Sequence, residues 1–166
     1  MNQPEPNYIR VSQIIASALM MGVLVFAGVT VAFHLSDPQP AAGNQDSMLL
    51  IVAIVFTVGD LIARFVVLKT HDQNMARKLE NRETESVSPN EVYGAYQTRL
   101  IISLAMLEGV AFFCLIAFMI EHRWEAFGLA MFLLLMMAMN FPTENKFRSW
   151  VRKLTGQSAF AGDEER

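Results

Sequence analysis

The stretch LIISLAMLEGVAFFCLIAFMI, residues 100–120, decides the architecture of this chain, because it is predominantly apolar and carries a single charge, Glu108. A helix that crosses the hydrocarbon of a bilayer needs about 20 residues at a rise of about 1.5 Å each. Working outward from it, three comparable runs appear. Residues 14–33 carry no charge, residues 48–68 are interrupted only by Asp60 and Arg64, and residues 124–141 have Glu125 at their entrance. The chain is 53% hydrophobic and 17% charged, with most of the charge in the two ends and one central segment. A water-soluble helix needs a polar face, and these runs have almost none to offer. The expectation is an all-α polytopic membrane protein with the lipid bilayer as its first partner.

Basic residues orient the runs. Arg10 precedes the first, Lys69, Arg77, Lys78, Arg82 and Arg99 lie between the second and third, and Lys146, Arg148, Arg152 and Lys153 follow the fourth. The connection at residues 34–47 has no Lys or Arg, and residues 121–125 hold one Arg123 between two glutamates. The positive-inside bias places both termini and the central segment in the cytoplasm, in a bacterial cytoplasmic membrane. The first run is about twice as long as the hydrophobic part of a signal peptide and is read as a mature helix. Cys114, alone, forms neither a disulfide framework nor a thiol ligand cluster.

The connections predict two hairpins. EHRWE, residues 121–125, makes the third and fourth helices antiparallel neighbours, and SDPQPAAGNQD, residues 36–46, joins the first and second. The expected helices are 13–34, 48–68 with an extension to 82, 91–120 and 124–141, within a transmembrane domain of residues 1–156. Asn90 is placed to cap the third helix, and Trp124 to anchor at the outer interface. Residues 146–154 predict a short helix on the inner membrane surface, its apolar face made of Phe147, Trp150, Val151 and Leu154. Residues 157–166 read as a mobile tail. Ala18 and Gly22 in the first helix align with Ala105 and Gly109 in the third, and small residues four apart allow helix backbones to approach closely.

The sharpest features are the charges inside the bilayer. Asp60 lies eight positions before Leu68 and Glu108 eight after Leu100, so both stand roughly 12 Å above the inner edge. Arg64 is one turn below Asp60 on the same face. Ionised residues facing lipid at that depth are costly, so these three are expected to point into the bundle, a water path or a subunit seam. An Asp60–Arg64 ion pair beside a protonated Glu108 is the simplest arrangement. It has two functional outcomes: an oligomer that binds or conducts protons or monovalent cations through Glu108, Asp60 and Arg64, or an assembly subunit whose buried charges fix helix or subunit packing.

Around Glu108 the third helix resembles the ion-carrying helix of rotary ATPase proteolipids, in which a glutamate sits among small residues ahead of an aliphatic run. Two hairpins also resemble the duplicated form of that family. The resemblance implies a carboxylate that shuttles a proton or sodium ion, a role that falls on Glu108. The chain departs from the pattern in having only Gly22 and Gly28 in its first helix, an added Arg64, and a long basic central connection.

Other constellations carry less. His34 and His122 lie toward the outer side near Asp37, Asp46, Glu121 and Glu125, but no compact ligand spacing specifies a metal. The methionines of the fourth helix, Met131, Met136, Met137 and Met139, read as packing. There is no Ser-His-Asp order with supporting sequence, Gly-rich phosphate loop or HExxH, and Glu108 and His34 stand on opposite sides of the bilayer centre, which argues against joint acid–base chemistry. The reading leans away from an enzyme, names no cofactor, and excludes nucleic acid as a leading partner because the basic residues are few and mixed with acids.

Overall fold

The computed structural model describes residues 7–36, 48–80 and 89–155. They form five helices: α1 (Asn7–Ser36), α2 (Met48–Glu80), α3 (Pro89–Glu121), α4 (Trp124–Met139) and α5 (Glu144–Thr155). α2 runs unbroken from its apolar part through the extension to Glu80; the last positions of the expected extension, 81 and 82, and the tail 157–166 lie outside the described residues. α3 begins at Pro89, so Asn90 stands inside the helix and not at its cap. Proline suits a first helical position because its missing N–H has no intrahelical acceptor there.

α3 is the hub. It packs against α1, α2 and α4, whereas α1 and α2, consecutive in sequence, share no comparable interface. Half of the most apolar window of α3 is buried inside the protein, against 22% for α1 and 17% for α2. The centre holds Leu104, Leu107, Leu115 and Phe118 of α3, Leu133 and Met137 of α4, and Val23 of α1. Buried alanines let the backbones draw close around them: Ala16 and Ala27 in α1, Ala53 in α2, Ala111 and Ala117 in α3, Ala126 and Ala130 in α4. Of the expected pairs Ala18/Gly22 and Ala105/Gly109, Ala18, Ala105 and Gly109 are exposed within this chain, and Gly22 lies against Glu108 and Phe112 of α3. Spacing identified small-residue faces, but the faces that meet are set by how α1 and α3 are rotated.

Large apolar side chains cover the outside, among them Ile14, Met21, Val25 and Phe33 on α1 and Ile51, Val55, Ile62 and Phe65 on α2. Such a continuous apolar surface marks a face that meets hydrocarbon. α1, α2 and α3 are long and apolar enough to cross a membrane, and α4 with α5 makes a fourth candidate bent by 76°. The chain is therefore a multi-pass α-helical membrane protein.

The bend has a local cause. Asn140 closes α4 by donating its backbone N–H to the carbonyls of Met136 and Met137, and its side chain also donates to Met136. Pro142 follows, and Lys146 donates to the carbonyls of Met139 and Phe141, which are left without intrahelical donors. α5 then packs back on the protein. Phe147, Trp150 and Val151 are buried against Val92, Tyr93, Ala95 and Tyr96 at the start of α3. Phe147 stacks on Tyr93 with centroids 4.6 Å apart, so the apolar face expected at the lipid interface is covered by protein. The side chain of Leu154 lies outside the described residues.

Candidate functional site

Polar side chains of α2 fall at Thr57, Asp60, Arg64 and Asp72, spacings that place them along the face turned to α3. Near the middle of the apolar part of α2, Thr57 Oγ1 donates to its own helix at Ala53 O, 2.8 Å away, and lies 3.9 Å from Cys114 Sγ of α3. Two turns further on, Arg64 is only 9% exposed, and its Nε–H donates to Ser103 Oγ over 2.9 Å. A guanidinium cannot shed its charge, so this acceptor on the facing helix is what holds it inside the seam.

The expected Asp60–Arg64 ion pair is not the contact that forms; among the described residues no ion pair joins them. The arginine is long enough to reach across to α3, and Ser103 takes its Nε–H. Asp60 Oδ2 is buried without a hydrogen bond. Glu108 looks elsewhere. A Cβ placed on Gly22 of α1 would lie 3.5 Å from Glu108 Oε1 and 3.8 Å from Phe112 Cζ, so the carboxylate stands against the α1 backbone. Five residues along a helix turn it by about 140°, which carries Glu108 away from the face that bears Ser103. Asp60 and Arg64 thus belong to the α2–α3 seam and Glu108 to the α1–α3 seam.

Both ends of α2 are fastened as well. At its first turn the Glu121 carboxylate of α3 accepts the N–H of Leu49 at 2.7 Å and of Leu50 at 3.0 Å, an anion at a helix N-terminus. In the extension, Asp72 Oδ1 accepts Arg99 Nε–H and Trp150 Nε1–H, each at 2.9 Å, and so joins α2, α3 and α5. Neighbouring His71 has a buried Nδ1 without a partner. At the α1 end, His34 Nδ1 and His122 Nδ1 lie 3.0 Å apart, with Trp124 edge-on to the His34 ring. Trp124 is 53% exposed and packs on Phe118 and Phe127.

Among the described residues no group of three His, Cys, Asp or Glu converges as a metal cage. An open apolar groove runs along Ala18, Met21, Gly22, Val25, Phe26, Val29 and Phe112. A small cavity sits near Tyr93, Tyr96 and Phe147, and neither space is lined by Asp60, Arg64 or Glu108. The sequence gives no sign of the interhelical roles of Ser103 and Glu121. One signal for Asp72 and Arg99 was present: opposite charges just beyond Leu68 and just before Leu100, at similar distances from the same membrane edge.

These features define a class, a polytopic helical membrane protein bound together by buried polar contacts, and give no chemistry of their own. No family model matches the chain, and comparison with curated proteins and with solved structures finds no match.

Proposed function

We propose that this chain is a non-catalytic assembly or scaffold subunit of a membrane complex, with its intramembrane charges serving to fix helix and subunit packing. The same reading includes four spans, counting α4 with α5 as the fourth, both termini on the cytoplasmic side of a bacterial inner membrane, and association with further copies or with another membrane protein. The observation that carries it is Arg64, 9% exposed and donating to Ser103 across the α2–α3 seam. An arginine anchored in this way is poorly placed to exchange ions, and well placed to hold α2 in one register. The exposed faces of Ala18, Ala105 and Gly109 leave close-approach surfaces for a neighbouring chain.

A second reading rests on Glu108, which makes no hydrogen bond or ion pair among the described residues. A carboxylate in that state at membrane depth fits binding of a proton or monovalent cation, and the likeness of α3 to proteolipid helices belongs to this reading. Reconstitution of the full chain in liposomes separates the two. The packing role predicts proton and potassium flux equal to that of empty vesicles, with Ser103→Ala reducing recovery of the assembled form. Flux that Glu108→Gln abolishes while assembly stays intact would overturn it in favour of ion handling.

A further inference from the structure

At the end of the bundle that carries the α3–α4 connection, two imidazoles 88 positions apart in sequence meet nitrogen to nitrogen. His34 lies in the last turn of α1, and His122 follows the last residue of α3. Their Nδ1 atoms are 3.0 Å apart. Two bonds of about 2.0–2.1 Å from a metal to imidazole nitrogens, at tetrahedral or square-planar angles, span roughly 2.9–3.4 Å between the nitrogens. The pair already has the bite of a chelate.

Both rings are held in place. His34 is flanked by Phe118 and Trp124, with ring centroids at 5.2 and 5.3 Å. His122 adopts a left-handed backbone, φ 52°, and its N–H donates to Phe118 O at 2.8 Å. Left-handed backbone is common at the residue that ends a helix, and His tolerates it. With the chain turned in this way, the half-buried His122 ring meets His34.

We infer that His34 and His122 form a two-imidazole site for a divalent first-row transition metal of the copper, zinc or nickel class. Neutral imidazole is the ligand that suits those ions. Without metal, one Nδ1–H donates to the other Nδ1. On binding, that ring moves its proton from Nδ1 to Nε2, so both lone pairs face the ion and the protein's net charge does not change. Glu121, the residue before His122, is turned to the first turn of α2, where its two oxygens accept the N–H groups of Leu49 and Leu50, and it does not converge with the two imidazoles. Among the described residues no third His, Cys, Asp or Glu converges with them. A bound ion ties the end of α1 to the α3–α4 connection.

The test is titration of the purified full chain, in lipid nanodiscs, with Cu2+ alone, read by electron paramagnetic resonance for nitrogen ligation, with Zn2+ and Ni2+ as competitors. Two variants change the ligands: His34→Gln, and His122→Asn, which keeps a residue that tolerates left-handed backbone. Each should weaken Cu2+ binding by at least about 100-fold, since loss of even an outer-shell partner costs roughly 10–100-fold. His71→Gln, at the far end of α2, should leave the signal unchanged, and circular dichroism verifies that each variant keeps its helices. The site is refuted if the H34Q/H122N double variant retains the nitrogen-ligated signal. It is equally refuted if the unaltered protein shows none at about 1 mM Cu2+, an affinity too weak to define a site.

Discussion

α2 and α1 both lean on α3, but they are attached in different ways. Between α2 and α3, side-chain polar contacts occur at four heights: Glu121 with the N–H groups of Leu49 and Leu50, Thr57 beside Cys114, Arg64 on Ser103, and Asp72 with Arg99. Between α1 and α3 the contact is apolar over most of its length, through Ala16, Val23 and Ala27, with Phe26 edge-on to Phe112 at 5.3 Å. Among the described residues the side-chain polar links of α1 to the rest of the protein lie at its two ends, His34 with His122 and Gln13 Nε2–H with Pro142 O. In a bilayer, lipid tails are as apolar as leucine, so burying apolar surface between helices gains little and packing and hydrogen bonds decide association. α2 has the smaller buried share of the two, and it is the more heavily bonded. Its polar contacts also set register, since a shift of one residue along α3 would break all of them together.

The contrast can be broken first at the α2 extension. Asp72→Ala removes one oxygen that serves both Arg99 and Trp150, and should lower stability by about 2 kcal/mol, reduced from the value for two charge-assisted bonds because the pair is partly solvated. Unfolding in mixed micelles by an ionic detergent measures it, and Asp72→Asn should recover part of the loss. At mid-seam, Ser103→Ala leaves the Arg64 Nε–H without its acceptor. An interhelical hydrogen bond in a membrane is worth about 1 kcal/mol, which is the expected coupling in a double-mutant cycle with Arg64→Lys. Zero coupling would mean that Arg64 is held by something other than Ser103.

The α1 seam sharpens the comparison from the other side. Gly22→Ala places its Cβ in ordinary contact with Glu108 and Phe112, and Glu108→Gln removes no hydrogen bond made among the described residues. Both should fall within about 0.5 kcal/mol of the parent. A large loss from Glu108→Gln alone would show that the carboxylate is a structural partner in the assembled protein and would weaken the contrast between the two seams.

Much of the fold was legible because a bilayer imposes a simple rule. Apolar runs near 20 residues long with few or no charges have one physical use, and the runs around Val23, Thr57 and Glu108 obey it. The boundary at Glu121 was also legible, since EHRWE is too short for anything but a turn between neighbouring helices. The α5 face was half legible. Phe147, Trp150 and Val151 do share one side, but periodicity does not say whether lipid or Tyr93 and Tyr96 will cover it. The site was less legible still. Helix rise puts Asp60 and Glu108 in one layer but carries no information about rotation, and two residues in one layer need not be neighbours. Topology put His34 and His122 on the same outer side, but no spacing foretold their contact, because ligand spacing is a local pattern and these residues meet only when α1 ends beside the α3–α4 turn.

By itself, then, the sequence determined the membrane character, the approximate position of each apolar helix and the place of each charge along its helix, since these depend on composition and on a fixed rise per residue. Tertiary structure alone decided which helix became the hub, that Arg64 turns to Ser103 and Glu108 to Gly22, and that two distant histidines share 3.0 Å. Those outcomes depend on the rotation of each helix about its axis and on which helix becomes its neighbour, and hydrocarbon, being the same on every side, leaves both to side-chain packing.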